Sequence, residues 1–459
     1  MVAGSVITLA YIFFLVLYGV IKGGRAKSFD DFSGKGTEPA LFAMTASMCA
    51  SFIGGGFSLG NAEQAFSFGI TNTLLLAGFS LGQLIVGMFI APKFADFAGE
   101  STAGGIIGKI YGPRAQMLCG LLSALFCTGV LGAQIRAIGT VAGYLFGADP
   151  KLCSVIGFGI IIAYSTFGGL KASIKSDVIQ IIVLAVGLPL ALFAAIIKSD
   201  GIPASLFRLP ARHLNPMGNY TATGFAGVFL TFTVGELLCP PSSQRMLLSK
   251  EPKRIRSATI LSGLIALPFF AVTGCIGLYA LLLGTTDTPA FAMPSLIHSV
   301  LGPTLGAVIC AAMLCIYLSS GGSFLNSCAS AVSEDVIFIG HGAASDDARR
   351  LGFARAINVL CGLAALVVAL SFDDVLAILV MSYSFWAPVV LVPLIGAVAN
   401  KKILFESAFI VPAIVSISAL LMWRAVGEPF GVPALIAGLA SNFCAFGLCK
   451  RRKLNRGNL

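Results

Sequence analysis

The stretch that most constrains the fold is SMCASFIGGGFSLG, residues 47–60, which sets Gly54, Gly55 and Gly56 inside an apolar run over 41–59. At ~1.5 Å per residue, a run of that length crosses a bilayer as a helix. Glycine loses the most backbone entropy in a helix and frees φ, so three in a row weaken it at mid-span. A helix broken here turns the carbonyls of Ala50, Ser51 and Ile53 away from their intrahelical partners. Such backbone persists in lipid only where protein buries it or it lines a wet cavity. Free carbonyls at mid-membrane are hard oxygen ligands suited to a small cation. The same glycines equally fit a face for close helix packing.

Composition sets the class. The 459 residues are 57% hydrophobic and 11% charged, against about 25% charged in soluble proteins. A polytopic all-α membrane protein is expected. A barrel would show short alternating strands, and these are absent from the pattern. No small-residue cleavage site follows the first apolar run, 6–21, so no cleavable signal is expected. The net charge of +10 reads as topology rather than nucleic-acid binding. Twelve cysteines, mostly in apolar runs and without paired spacing, predict neither disulfides nor a metal site. His213, His298 and His341 fall in loops or at helix ends.

Thirteen spans are predicted: 5–22, 41–59, 70–92, 116–146, 152–167, 177–197, 223–243, 257–284, 303–338, 353–370, 374–398, 403–423 and 432–449. With the N-terminus outside, 24 of the 30 Lys and Arg fall in inner loops, Arg245 among them, and 5 in outer loops. That bias predicts a cytoplasmic C-terminus and an odd span count. Arg136 alone is left inside a span.

The seventh span, 223–243, carries Gly235, Glu236, Pro240 and Pro241. Two prolines remove two backbone donors and clash with the preceding turn. The second and seventh spans are therefore both interrupted, five spans apart, as matching elements of two inverted repeats. The repeats run over 41–197 and 223–398 within one transmembrane domain, with one extra helix before (5–22) and two after (403–449). Paired interrupted segments are the best sequence pointer to a transporter's central site.

Three further features carry chemistry. Ser319, Ser323, Ser327 and Ser330 share one helical face, with Ser320 adjacent. Their hydroxyls either complete a cation site or permit tight packing. Asp177, in YSTFGGLKASIKSDVIQ, reads as a helix-start cap after Gly168–Gly169 or as a station for an exiting cation. Arg136 needs compensation at its depth. Its fork suits a substrate carboxylate, or it forms a structural pair with Glu236 or Glu63.

These stretches resemble the sodium/solute symporter family over 5–450. YSTFGGLKASIKSDVIQ is similar to its signature, ASFIGGGFSLGNAE to its broken first core helix, GELLCPPSSQRMLLSK to its sixth, and LSSGGSFLNSCASAVSED to its eighth. The resemblance implies a LeuT-type 5+5 inverted repeat with broken first and sixth core helices. It also implies a sodium site built from the carbonyls of Ala50, Ile53 and Ile316 and the hydroxyls of Ser319 and Ser320. Asp177 matches an acidic position that serves a second ion or the exit path. The expected substrate contacts are Phe52, Gly54, Gly55, Arg136, Glu236 and Cys239. The GGG stretch also looks like the choline-carrying branch, but Cys239 stands where that branch would place an aromatic ring.

The expected function is sodium-coupled symport of a small organic solute, a carboxylate or amino acid, by alternating access in the plasma membrane. The expected ligands are solute, Na+ and membrane lipid. No other cofactor, catalytic residue, nucleic acid or obligate protein partner is expected. A choline or proton-coupled carrier of the same fold remains an alternative, as does a channel or membrane sensor.

Overall fold

The computed structural model describes residues 26–202, 208–339, 347–400 and 403–456, with 6, 9, 10 and 13 before them; side chains at 164, 167–169, 171, 172, 175 and 451–456 are outside it. The expected helix 5–22 thus lies almost wholly outside the described residues, as do His341, Lys401 and Lys402. The described chain is helical, without a strand.

A short helix, α1 (Phe29–Ser33), is capped by the Ser28 side chain. Helix α2 (Leu41–Phe52) ends at the glycines, and a π turn, Gly56–Gly60, leads into α3 (Asn61–Phe68). The two halves meet at a 60° bend. Helix α4 (Thr71–Phe89) follows, then α5 (Ala103–Tyr111) and α6 (Pro113–Phe146). Pro113 opens α6 at its first position, and Gly147, at φ 63, closes it in the left-handed region. Helix α7 covers Pro150–Lys198. The second half has α8 (Ala222–Val234), α9 (Pro240–Leu247), α10 (Pro252–Leu282) and α11 (Ala292–Val332). It ends with α12 (Asp347–Ser371), α13 (Val375–Trp386), α14 (Val392–Asn400), α15 (Ser407–Ala425) and α16 (Ala434–Arg456).

Three points differ from expectation. The spans 152–167 and 177–197 are one helical run, α7, of 49 residues. A glycine in a helix costs about 1 kcal/mol but breaks nothing alone, least of all where lipid offers its backbone no other partner. Asp177 accordingly lies inside a helix and caps no helix start. Helix α5 stands in the expected loop between 92 and 116; Thr102 caps it by accepting from the Gly105 N–H. Helix α11 begins eleven residues before the expected span and kinks at Gly302, whose φ is 75°.

Among the described residues, 8 helices are long and apolar enough to span a membrane, or 9 with the bent pair as one. Three shorter apolar stretches, Pro150–Ala163 at the start of α7, Ala222–Val234 (α8) and Ala434–Lys450 within α16, stand at other expected places. Helix α6 is buried along most of its length, whereas α12 and α15 are mostly exposed along their outer faces. The centre of the molecule therefore lies where α6, α11 and the two interruptions meet.

Candidate functional site

At the first interruption both readings of the glycines hold together. The Gly55 N–H, freed from the helix, donates to Gln134 Oε1 of α6 at 2.7 Å. A Cβ on Gly55 would lie 2.1 Å from Ala137 Cβ, and one on Gly54 would lie 2.4 Å from Gln134 Nε2. Glycine is needed here for close approach as well as for the break. Ser58 ties the π turn down, bonding to Gly54 O at 2.8 Å and Tyr317 OH at 2.7 Å.

Beside this break lies a cluster of buried oxygens. Ser320 Oγ donates to Ala50 O at 2.5 Å, and Ser319 Oγ donates to Asp177 Oδ1 at 2.5 Å. Ser173 Oγ lies 2.8 Å from Ser319 Oγ and 3.3 Å from Ser323 Oγ. Asp177 is fully buried, and its Oδ2 has no hydrogen-bond partner. Ile53 closes α2, its N–H bonded to Cys49 O, and Ile316 is fully buried on α11. The structure thus brings Ala50, Ser319, Ser320 and Asp177 into one set of hard oxygens with a spare carboxylate atom. Such a set suits an alkali or other hard cation.

The charge facing this cluster is Arg245, read from sequence as a loop residue. It is 1% exposed. Its Nε donates to Ser47 Oγ, one terminal nitrogen to Pro241 O and the other to Ser323 Oγ, at 2.9, 3.1 and 2.9 Å. Asp177 lies within its electrostatic reach. Its neighbour Gln244 donates to Ser33 O at 3.0 Å and Asn326 Oδ1 at 3.2 Å, and accepts from Ser327 Oγ at 2.6 Å. Asn326 in turn donates to Phe32 O at 2.7 Å. The serine face of α11 is therefore a polar seam to α1, α7 and α9, not only a packing surface.

The second interruption is built differently. After α8 the chain turns through Gly235, Glu236, Leu237 and Leu238, the last at φ 51°, before Pro240 and Pro241 open α9. A Cβ on Gly235 would meet the Tyr383 ring at 2.3 Å. Tyr383 OH donates to Glu236 Oε2 at 3.1 Å, and Trp386 Nε1 donates to Leu237 O at 3.0 Å. Phe126 of α6 stacks on Tyr383 with centroids 6.3 Å apart. Cys239 is buried and donates to Ser242 Oγ. Phe52 belongs to a separate aromatic cluster, 5.0 Å from Phe79 and 6.4 Å from Phe270.

Arg136 meets neither expected carboxylate in a salt bridge. Its partner is Asp373, between α12 and α13, at 2.9 Å. The arginine side chain is 11% exposed and the aspartate 88%. Arg136 Nε and Nη1 have no acceptor, and Glu63 Oε2 has no donor, although Glu63 feels the Arg136 charge. Glu63 and Gln64 sit in the second half of the first broken helix, where Gln64 bonds Asp374 at 3.2 Å.

Sequence reasoning missed Arg245, Ser173, Gln134, Tyr383 and Asp373 as parts of the site. The Gln244–Arg245 pair was visible as a motif; Asp373 had no local signal, being 237 positions from Arg136.

With this geometry in hand, comparison with known proteins is informative. The profile of the Sodium:solute symporter family matches residues 35–411. The human sodium/iodide cotransporter is 25% identical over 70% of this chain and 52% of its own length. The high-affinity proline transporter PutP of Bacillus subtilis (strain 168) is 22% identical, covering 48% of each. The human high affinity choline transporter 1 is 24% identical over 60% of this chain and 48% of its own. The chain thus spans about half the length of these relatives. Among solved structures, a substrate-bound, outward-open Na+-coupled sialic acid symporter superposes with a TM-score of 0.80 over 97% of both chains at 20% identity. Mhp1, a nucleobase-cation-symport-1 family transporter, does so with a TM-score of 0.64 over 92% of this chain and 94% of its own at 16% identity. At such identities the structures speak for the fold, a LeuT-type helical transporter, while the profile speaks for descent: the chain belongs to the sodium:solute symporter family.

Proposed function

We propose that this protein is a sodium-coupled symporter that carries a small organic solute across the plasma membrane by alternating access. The observation that carries the reading is the set of buried oxygens from Ala50, Ser319, Ser320 and Asp177 beside the first broken helix. Sodium as coupling ion enters there, with the carbonyls of Ile53 and Ile316 completing the shell and Asp177 serving exit or a second ion. The solute sits between the two interruptions, against Phe52, Gly54, Gly55, Glu236 and Cys239. The N-terminus is outside and the C-terminus cytoplasmic, and the repeats are 41–197 and 223–398. An amino acid is favoured over a simple carboxylate, since Arg136 already holds Asp373. The test is uptake into proteoliposomes under an imposed sodium gradient, with L-proline, choline, acetate and iodide as trial solutes. Gradient-dependent accumulation of one of them is the expected result. Uptake of every accumulated solute at the same rate in potassium alone would refute sodium coupling.

A further inference from the structure

Glu236 is a buried carboxylate, 3% exposed, at the break in the second interrupted helix. A charge so placed is functional by default, and the question is what compensates it. Its hydrogen bond comes from Tyr383, a neutral phenol, and no cation pairs with it among the described residues. A carboxyl buried without a cation either keeps its proton or takes a positive ligand as its partner, and among the described residues the protein supplies no such partner. The surroundings point to its kind. Pro240 and Pro241 occupy the first positions of α9 and strip away two of the N–H groups that a helix start would offer an anion. Tyr383, Trp386 and Phe126 pack rings around the break, with Phe126 stacked on Tyr383, and the Trp386 N–H, taken by Leu237 O, is not offered to an anion. Arg136 does not change the balance. It lies nine residues, or about 14 Å, farther along α6 than Cys127, which is within electrostatic reach of Glu236.

Resting on the symporter reading above, we infer that Glu236 receives the positively charged nitrogen of an amine-bearing solute, an ammonium or quaternary ammonium group. The carrier then takes amines and zwitterions and rejects bare anions. Among the relatives, this sides with those named for proline and choline against those named for iodide and monocarboxylates.

The chain has two tryptophans, and Trp386 touches the break. The full chain carrying Trp423→Phe, in lipid nanodiscs with sodium, therefore reports through Trp386 emission. L-proline, choline, tetramethylammonium and acetate are the probes. A saturable change with choline or L-proline, and none with acetate, is expected. Glu236→Gln is isosteric and keeps an acceptor for Tyr383, and should weaken amine binding at least tenfold. Glu236→Asp should keep the preference for amines over acetate. The inference is overturned if no amine probe binds, if acetate binds in their place, or if Glu236→Gln binds amines as tightly as its parent. It is equally overturned if Glu236→Gln loses only its response to sodium. Amine binding through Glu236 without gradient-driven uptake would leave this inference standing and sink the symporter reading, so the two failures are distinguishable.

Discussion

At the first interruption, around Gly54–Gly56, the freed backbone is met by polar side chains: Gln134 on the Gly55 N–H, Ser58 on the Gly54 carbonyl, Ser320 on the Ala50 carbonyl. At the second, around Gly235–Cys239, it is met by rings, with Tyr383 on Gly235 and Trp386 on the Leu237 carbonyl. Both satisfy the rule that irregular backbone at membrane depth must be buried in protein or face water. Amide and hydroxyl groups surround the first, the arrangement that the proposed sodium site rests on. Rings with one carboxylate surround the second, the arrangement that the proposed amine site rests on.

The contrast breaks most easily at Arg245. Removing a buried cation that holds three acceptors and faces Asp177 should cost about 3–5 kcal/mol. Thermal unfolding of Arg245→Ala in nanodiscs measures this, and Arg245→Lys should recover little because it lacks the fork. An Arg245→Ala protein as stable as its parent would mean that the polar seam does not hold the first break. Next is Gly55→Val. Its Cβ has no room beside Ala137, so overpacking should cost about 1–3 kcal/mol. Gly159→Ala, with nothing within 4 Å of the added carbon, is the control and should be neutral or stabilising.

Ser320→Ala sharpens the functional side of the comparison. It removes a proposed ligand from the first break and should raise the sodium concentration for half-maximal uptake about tenfold, near 1.4 kcal/mol. The affinity for amines without sodium should stay within about twofold. The smallest effect belongs to Arg136→Gln. Its salt-bridge partner is 88% exposed, so stability should change by less than about 1 kcal/mol. Amine binding should be retained; a tenfold loss would move the solute toward Arg136 and erase the contrast.

Much of this was legible in the sequence because bilayer physics is strict. Runs of apolar residues and paired interruptions at Gly54–Gly56 and Pro240–Pro241 can mean little else in lipid. The contact of Ser320 with Ala50 at the first break was also readable, through a resemblance rather than through spacing. What failed had physical reasons. Counting Lys and Arg by loop placed Arg245 in solvent, since composition near a helix end does not say which way a long side chain points. Asp373 is remote in sequence from Arg136, so no periodicity links them. Helix α5 hid behind three glycines, Gly104, Gly105 and Gly108, which its Thr102 cap and its packing override. Gly168–Gly169 erred the other way, as glycines that do not break their helix.

The seam around Gln244 also sets a population. Four hydrogen bonds, from Gln244 to Ser33 and Asn326, from Ser327 to Gln244, and from Asn326 to Phe32, lie between α1, α9 and α11. At about 0.5–1.5 kcal/mol net each, they favour the packed arrangement of these three helices by roughly 2–6 kcal/mol. Opening there without compensation would then occupy between roughly one molecule in thirty and one in twenty thousand. Any ligand that drives these helices apart has to prefer the parted form by a comparable factor, so in the proposed transport cycle the seam sets a floor on the free energy to be delivered at that end.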